Sequence, residues 1–365
     1  MKRKSWGLFL ISTVMILLMT GCQKQEEPKG QEESAETVSG DLTTTPDSRT
    51  EQVLYTSVQL QVFNKNKTEA MDKAFDYMEQ VQDVFTTNKE GSDVKKINDA
   101  AGDHPVQVSD DTIQLVKRGI EIGNESHGLF DITIGAITNL WQIGSDQARV
   151  PSNEEIQQAL PLVNYKDIVL DETNKTVFLK RKGMRLELGG LSKGYIGGKV
   201  VDLLKQNGVT SAIANLGGNV ALLGNHPTNK EGWTIGIQDP DKERNQVVGS
   251  QVVKGDTAVV TSGIYEQYIE KDGKTYHHII DPRTGYPLDN NVASVTVFAP
   301  NSFAGDSYST ALFMMGIDDG LKFINQKPGY EVVYIDKAHH IYLSDGLKQT
   351  FKLTNKEYTI ANENN

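Results

Sequence analysis

The spacing of hydrophobic residues changes along the chain, and each change predicts a different element. Residues 53–62 (VLYTSVQLQV) alternate between apolar and polar positions, which is typical of a half-buried strand. Between residues 68 and 84 the apolar residues recur every three or four positions, as on one face of a helix. Further helices are predicted at 110–125, 153–160 and 302–315, and from Gly194 to a stop at Asn207-Gly208.

Strands are predicted mainly in the second half of the chain. Short apolar runs at 168–170 and 176–179 predict strands, and residues 211–297 form a series of short strands and turns. The helices and strands do not follow the regular strand-helix-strand order of a parallel sheet. We therefore predict an α+β fold in which the strands are mainly antiparallel.

The beginning of the chain has a pattern of its own. Basic residues at positions 2–4 precede an apolar run over 6–19, an order that is typical of a secretory signal. Cys22 is the single cysteine and follows a small residue directly after this run, which predicts lipidation. An ordinary signal peptide with a chance cysteine is the alternative. We expect a signal peptide over 1–21 and a lipid anchor that holds the protein at the extracytoplasmic face of the cell membrane.

Composition divides the remaining chain into a polar linker and a folded body. Residues 22–50 are rich in Gln, Glu, Ser, Thr and Pro and nearly free of large apolar residues, so a disordered tether is predicted. Residues 51–360 carry apolar segments throughout and can bury a substantial core. The formal net charge of −11 argues against nucleic acid as a partner.

Glycines are concentrated at 186–199 (LELGGLSKGYIGGK), where a strand is predicted to lead into a helix. Glycine lets a ligand approach the backbone, and the free N–H groups at a helix start favour an anion such as phosphate. Glu187 and Lys193 could bind opposite ends of one polar ligand, or they could be exposed charges. The stretch matches neither a Walker A loop nor GxGxxG, and glycines needed for close helix packing explain it about as well.

Asp306 and Thr310 lie four residues apart in the helix predicted at 302–315, so they share one face. A carboxylate and a hydroxyl on one face can bind a hard cation. One carboxylate suits magnesium, which keeps waters and takes phosphate oxygens from a ligand. The structural alternative is that Asp306 caps the helix and Thr310 bonds back to a carbonyl.

Two further stretches carry polar groups that could belong to a site. A strand-like apolar run at 128–141 (GLFDITIGAITNLW) contains Asp131, whose buried carboxylate needs a donor from a ligand or from a backbone turn. HHIIDPRTGYP at 277–287 places two of the seven histidines before residues that form tight turns. A turn explains 281–285 without catalysis, so the histidines gain a role only if other groups form a site around them.

Taken in order, these stretches resemble the ApbE family of bacterial FAD:protein FMN transferases. The matching motifs extend over roughly residues 54–316 and are FDITIG…NLW, LELGGLSKGY, NLGGN, TSGIY, HHIIDPRTGYP and GDSYSTALFMMG. The resemblance implies a single large ApbE-like (T-fold-like) catalytic domain in an exported lipoprotein. It also implies Mg²⁺ as the metal and FAD as a substrate.

The resemblance assigns roles to individual residues. It implies a magnesium site formed by the backbone carbonyl of Gly190 and the side chains of Asp306 and Thr310, completed by pyrophosphate oxygens of FAD. It implies that His278 is the general base, whereas His277 alternates to the other face of an extended strand. The flavin-contacting positions that it implies are Tyr55, Asn88, Leu129, Phe130, Asp131, Glu187, Lys193 and Ile280.

Four positions depart from the residues that the family often has. Tyr55 replaces Met, Asn88 replaces Tyr, and Glu187 replaces Asp with the charge retained. Glu266 replaces an Arg, which reverses a charge near the expected site.

The implied function is transfer of FMN from FAD to a Thr or Ser hydroxyl of an exported or membrane redox protein, with AMP as the leaving group. The expected partners are FAD, an acceptor flavoprotein and, through the lipid, a membrane. One alternative is a magnesium-dependent pyrophosphatase that splits FAD into FMN and AMP. Another is a flavin-binding lipoprotein without turnover.

Overall fold

Most strands of the protein belong to one large sheet. The computed structural model describes residues 40–361, so the predicted signal peptide, Cys22 and the first part of the tether lie outside the described residues. The strands of the described part are β1 (Leu42–Val53), β2 (Thr56–Asn64), β3 (Val106–Gln107), β4 (Ile168–Asp171), β5 (Thr176–Leu179), β6 (Ala212–Leu216), β7 (Asn219–Leu223), β8 (Trp233–Gln238), β9 (Val247–Val253), β10 (Thr257–Gly263), β11 (Tyr268–Lys271), β12 (Lys274–His277), β13 (Val292–Ala299), β14 (Glu331–Asp336), β15 (His340–Leu343), β16 (Lys352–Leu353) and β17 (Thr359–Ile360).

Nine strands form this sheet in the order β1-β2-β6-β7-β10-β13-β14-β15-β17. Every pair in it is antiparallel except β15 with β17, as an α+β fold with mainly antiparallel sheets predicts. Smaller sheets are formed by β3-β5-β4, β11-β12 and β16-β9-β8.

Helices connect and cover the strands. In the described residues they are α1 (Thr68–Val81), α2 (Asp93–Asp99), α3 (Asp110–Glu125), α4 (Gly135–Trp141), α5 (Asn153–Ala159), α6 (Gly189–Gln206), α7 (Ser302–Met315) and α8 (Ile317–Ile324). The bounds of α3 and α7 match the prediction, whereas α6 begins at Gly189 rather than after Gly194. None of the helices in this part of the chain is long and apolar enough to cross a membrane.

Strand β1 occupies residues that composition assigned to the tether. The folded body was predicted to begin at residue 51, but the strand begins at Leu42. Among the described strands β1 lies at the edge of the sheet and pairs with β2 alone, and its register shifts between Leu42 and Asp47, next to Pro46. An edge strand is held by backbone hydrogen bonds and tolerates proline and polar side chains. Its low apolar content therefore misled the prediction.

A tight turn divides the predicted strand at 53–62. Leu54 and Tyr55 have φ values of 57° and 58°, a left-handed conformation that bulky side chains rarely adopt. Contacts with the end of α1 and the residues after it hold the turn: the Leu54 N–H donates to Gln82, and the Tyr55 hydroxyl donates to Asp83. The turn leaves Tyr55 75% exposed, at the edge of the cavity described below.

The central strands are buried on both faces. All eight residues of β13 (VASVTVFA) are buried, which explains why the strand is apolar without alternation. Val295 and Val297 belong to the core cluster that includes Leu204 of α6 and Leu312 of α7, whereas Phe298 packs in a cluster with β8 and β9. Helices α6 and α7 are thereby packed against one face of the sheet.

Candidate active site

The structure brings all the site residues predicted within its described part to one cavity. The cavity has a volume of about 870 Å³, within the range of small-molecule sites. Apolar side chains such as Trp141 and Ile143 line it together with charged groups. The predicted residues that line it are Tyr55, Asn88, Leu129, Phe130, Asp131, Glu187, Gly190, Lys193, His278, Ile280, Asp306 and Thr310.

Glycines of α6 allow α7 to approach closely. A Cβ added at Gly194 would lie 2.2 Å from the Cβ of Asp306 and 2.6 Å from the carbonyl oxygen of Ser302. A Cβ added at Gly197 would lie 2.7 Å from Ser302 Oγ. All three distances are too short for real Cβ atoms, so the helix-packing interpretation of the glycine-rich stretch holds for these two residues.

Gly190, at the start of the same helix, faces the cavity instead. A Cβ at this position would lie 3.4 Å from Phe130 Cε2 and 3.8 Å from Thr310 Oγ1. The start of α6 therefore lies directly beside the polar face of α7. Because the first N–H groups of a helix have no partner within the helix, this end of α6 suits an anionic ligand.

Asp306 is a buried carboxylate at the α6–α7 contact. It is 5% exposed, and its Oδ2 accepts a hydrogen bond from the Gly194 N–H at 2.6 Å. Burial raises the pKa of Asp306, while the positive charge of Lys193, the Gly194 N–H and the nearby Asn219 amide lower it. A buried carboxylate in these surroundings becomes more stable when a cation binds to it.

The structural alternative for Asp306 and Thr310 does not hold. The cap of α7 is Asn301, whose side chain accepts the Ala304 N–H. Ser307 on the same helix does bond back to a carbonyl, that of Phe303. The Thr310 hydroxyl makes no hydrogen bond within residues 40–361, so it is available to a ligand.

The oxygen atoms around Asp306 fit magnesium completed by a ligand. In the described part of the chain no three His, Cys, Asp or Glu residues are grouped closely enough to hold a metal alone. One carboxylate, one hydroxyl and the carbonyl of Gly190 remain. In a regular helix the Gly190 carbonyl would accept a hydrogen bond from the Gly194 N–H. This N–H donates to Asp306, so the Gly190 carbonyl at most shares the donor with that carboxylate. Magnesium tolerates such a partial site because it retains waters and phosphate oxygens.

Lys193 and Glu187 place opposite charges on the cavity wall. Lys193 is half-buried and forms no ion pair within the described residues. Glu187 accepts a hydrogen bond from the Gly189 N–H, and burial raises the pKa of its carboxyl group. The lysine can therefore bind an anionic group of a ligand, and the glutamate can accept hydrogen bonds from one.

Asp131 is bonded within its own turn, as the backbone alternative predicts. Its Oδ1 accepts from the N–H and hydroxyl of Thr133, and its Oδ2 accepts from the Tyr165 N–H. The strand predicted for this apolar run is wrong, because these bonds turn the chain and α4 follows from Gly135. Asp131 therefore shapes the cavity wall chiefly by holding residues 129–131 in place.

The two histidines occupy different environments. His277 is buried against Phe313, and its Nε2 bonds to the Leu288 carbonyl while its Nδ1 accepts from the Ile279 N–H. His278 lines the cavity, and its Nδ1 lies 3.2 Å from the Gln267 carbonyl, which only a protonated Nδ1 can satisfy. In the neutral ring, Nε2 of His278 is then an unprotonated base.

Burial keeps His278 in its neutral form. It lowers the pKa of the ring to about 4; the hydrogen bond to the Gln267 carbonyl opposes this shift, and the positive charge of Lys193 adds to it. The imidazole is therefore neutral near pH 7 and able to accept a proton.

The residues after the histidines form the predicted turn. The Asp281 carboxylate accepts hydrogen bonds from the backbone N–H and the guanidinium of Arg283, and the Asp281 carbonyl accepts from the N–H groups of Thr284 and Gly285. The Trp141 indole donates to the Gly285 carbonyl, which joins the turn to α4. The turn thus fixes Ile280 in the cavity wall.

Sequence reasoning missed two polar residues of the cavity. Arg244 lies 3.7 Å from Glu266, so this chain has a cation beside the position where the family often has arginine. Asn219 is buried beside Asp306, and its amide nitrogen has no hydrogen-bond partner in good geometry within residues 40–361. The motif NLGGN contains the second residue, but the sequence did not single out its side chain.

The glycine contact predicts a difference between two neighbouring alanine substitutions. Gly194→Ala should lower the free energy of unfolding by about 1–3 kcal/mol and displace Asp306, because its Cβ has no space. A Cβ added at Gly198 on the same helix would meet no atom within 4 Å, so Gly198→Ala should raise the free energy of unfolding by about 0.5–1 kcal/mol. Urea unfolding of both variants measures the difference. Equal effects would show that the α6–α7 contact is looser than described.

Comparison with known proteins gives a consistent set of relatives. The ApbE family model matches residues 54–334. A FAD:protein FMN transferase of Klebsiella pneumoniae (strain 342) is 38% identical over 288 residues, which cover 79% of this chain and 89% of that protein. A FAD:protein FMN transferase of Treponema pallidum (strain Nichols) is 32% identical over 329 residues, covering 86% and 91%.

Solved structures resemble this fold over most of its length. The ApbE protein of Thermotoga maritima superimposes with a TM-score of 0.76 at 32% identity, covering 84% of this chain and 99% of that one. The flavin transferase ApbE of Vibrio cholerae superimposes with a TM-score of 0.72 at 25% identity, covering 84% and 99%.

Proposed function

The chain belongs to the ApbE family, and from this membership we propose that it is an FAD:protein FMN transferase that uses Mg²⁺. The observation that carries the proposal is the convergence of Asp306, Thr310, an unpaired Lys193 and a neutral His278 on one cavity. These groups supply a cation site, a counter-charge for a pyrophosphate and a base. The relatives that this chain resembles are named FAD:protein FMN transferases, which supports the proposed transfer.

Binding of FAD as substrate would use both the apolar and the charged walls. Leu129, Phe130 and Ile280 offer apolar contact to the flavin ring. Lys193 and the N-terminal end of α6 face an anionic pyrophosphate. Asp306, Thr310 and the Gly190 carbonyl would hold magnesium, which when bound neutralises charge that develops on the phosphates.

The reaction then needs a nucleophile and a base. A Thr or Ser hydroxyl of the acceptor is a weak nucleophile near neutral pH, so proton removal assists its attack. Nε2 of His278 would take this proton as the hydroxyl oxygen bonds to the phosphorus of the FMN phosphate. The bond from that phosphorus to the bridging oxygen breaks, and AMP leaves with that oxygen.

Two other outcomes would change the proposal. Water in place of the acceptor hydroxyl would give FAD hydrolysis to FMN and AMP, with the same base and metal. A flavin-binding protein without turnover would have no use for an unbonded threonine hydroxyl beside a buried carboxylate. Both predict no covalent product.

We predict that the protein with FAD, Mg²⁺ and an acceptor domain makes the acceptor fluorescent on a denaturing gel. The fluorescence should depend on a Thr or Ser of the acceptor and disappear when EDTA is added. An acceptor that stays dark while the protein retains FAD would count against transfer. AMP release that is equally fast without acceptor would identify a hydrolase.

A further inference from the structure

Asn219 is a buried amide in the cavity wall that lacks a hydrogen-bond partner. It is 3% exposed, and its Nδ2 makes no hydrogen bond within residues 40–361. Nearly all buried polar groups in native proteins are satisfied, because a buried donor without an acceptor is costly. An amide kept at such a position therefore calls for a partner that arrives with a ligand or a change of state.

The backbone of Asn219 is fixed by a tight hairpin. Asn219 begins β7 and pairs with Leu216 across a two-residue turn whose glycines, Gly217 and Gly218, have φ values of 64° and 106°. Asn215 closes the turn by accepting the Gly218 N–H. The side chain of Asn219 is thus delivered to the cavity by rigid elements.

The neighbour of this amide is the carboxylate of Asp306. The Gly194 N–H donates to Oδ2 of this carboxylate. Strand β7 packs against α7, and Asn219 and Asp306 both line the cavity. The Asn219 amide lies close enough to lower the pKa of the Asp306 carboxyl as a hydrogen-bond donor does, although its Nδ2 falls short of full hydrogen-bond geometry in the described residues. A cation-bound carboxylate is the charged acceptor that Nδ2 lacks.

We propose that Asn219 is a positioning residue, whose amide donates to the Asp306 carboxylate and orients it for a divalent cation. The inference rests on the metal site of the proposed function. Gly194 and Asn219 would then hold the carboxylate from two sides, one through a backbone N–H and the other through a side-chain amide. Such outer partners orient metal ligands in many proteins, and losing one typically lowers metal affinity about 10–100-fold.

The test measures Mn²⁺ binding to the FAD-loaded full chain by the EPR signal of free Mn²⁺. Asn219→Ala should weaken Mn²⁺ binding about 10–100-fold. It should not change the affinity for FAD measured without metal, and it should not lower the unfolding temperature of the metal-free protein. Asn219→Ser keeps a donor on a shorter side chain and should restore part of the metal affinity.

Asn215→Ala is the matched control from the same hairpin. It removes the bond to the Gly218 N–H, so it should lower the unfolding temperature and leave Mn²⁺ affinity unchanged.

Three results would overturn the inference. Unchanged Mn²⁺ affinity in Asn219→Ala would remove its basis, and lower metal-free FAD affinity would indicate direct contact with the substrate. A loss of stability as large as that of Asn215→Ala would indicate a structural role. A wild-type protein that binds no Mn²⁺ would instead refute the metal site of the proposed function.

Discussion

Replacing Asp306 with asparagine should lower the rate of FMN transfer by about 10²-fold or more, because a bound metal ion supplies several kcal/mol of transition-state stabilisation. Asparagine keeps the size of the side chain and can still accept the Gly194 N–H. Removing a charge that burial disfavours should leave the metal-free protein as stable as the wild type, or more so. Transfer rates at increasing Mg²⁺ concentration and thermal unfolding without metal measure the two effects.

Thr310 provides the matched pair of variants for the same site. Thr310→Ser retains the hydroxyl and should keep most of the activity, whereas Thr310→Val retains the shape and should lose much of it.

If Asp306→Asn transferred FMN normally and with unchanged Mg²⁺ dependence, the metal assignment would be wrong.

Replacing His278 with alanine should lower the transfer rate by about 10²–10⁴-fold and leave FAD binding largely intact, because a positioned base contributes about that factor. His277→Ala is the control: it removes buried bonds to Leu288 and Ile279, so it should lower stability while the folded fraction still transfers FMN. Rates under FAD saturation, together with unfolding curves, separate the two variants. Equal losses of transfer in both would show that the pair is structural.

The pH dependence of transfer provides a second readout for His278. Its pKa is lowered to about 4, so the base form persists throughout the range in which an ordinary histidine would become protonated. Protonation of His278 should therefore not lower the transfer rate near pH 6.5. Between pH 6.5 and about 4 the unfolded chain binds a proton that the folded ring does not, so this residue makes stability fall as the pH falls. A rate profile with a His278-dependent decline near 6.5 would contradict this environment.

Local signals in the sequence predicted the well-capped helices accurately. Ser109 and Asn301 accept N–H groups at the starts of α3 and α7, and Gly316 ends α7. Such caps are local, so they are visible in a single sequence. The start of α6 at Gly189 was missed because glycines are weak helix formers, and their place here depends on Asp306, Ser302 and Phe130 far along the chain.

Other errors have the same origin in tertiary context. β1 is stabilised by pairing with β2 rather than by apolar content, and the Leu54-Tyr55 turn uses residues that turn rules do not favour. The run after Phe130 has the β-branched residues that are typical of a strand. The hydrogen bonds of the Asp131 side chain instead form a turn there, and α4 follows that turn. Each of these three structures depends on contacts with residues distant in the sequence, which the spacing of apolar residues does not show.

The candidate site could be assembled from sequence only by resemblance to a family. Spacing alone left Asp306 and Thr310 open between a cap and a ligand pair, and the structure removes the cap, because Asn301 caps α7. Their role as metal ligands stays a prediction. Asn219 was missed because the lack of a partner is a property of the folded protein. Arg244 was missed because its loop meets Glu266 only in the fold.

We expect FMN to pass from FAD to an acceptor hydroxyl within the cavity that the start of α6 and the polar face of α7 help to line. The most direct measurement is the intact mass of a candidate acceptor domain, with AMP quantified in the same reaction containing FAD and Mg²⁺. We expect an added FMN on one Thr or Ser and one AMP for each modified acceptor. An unchanged acceptor mass, with AMP and free FMN accumulating together, would contradict it.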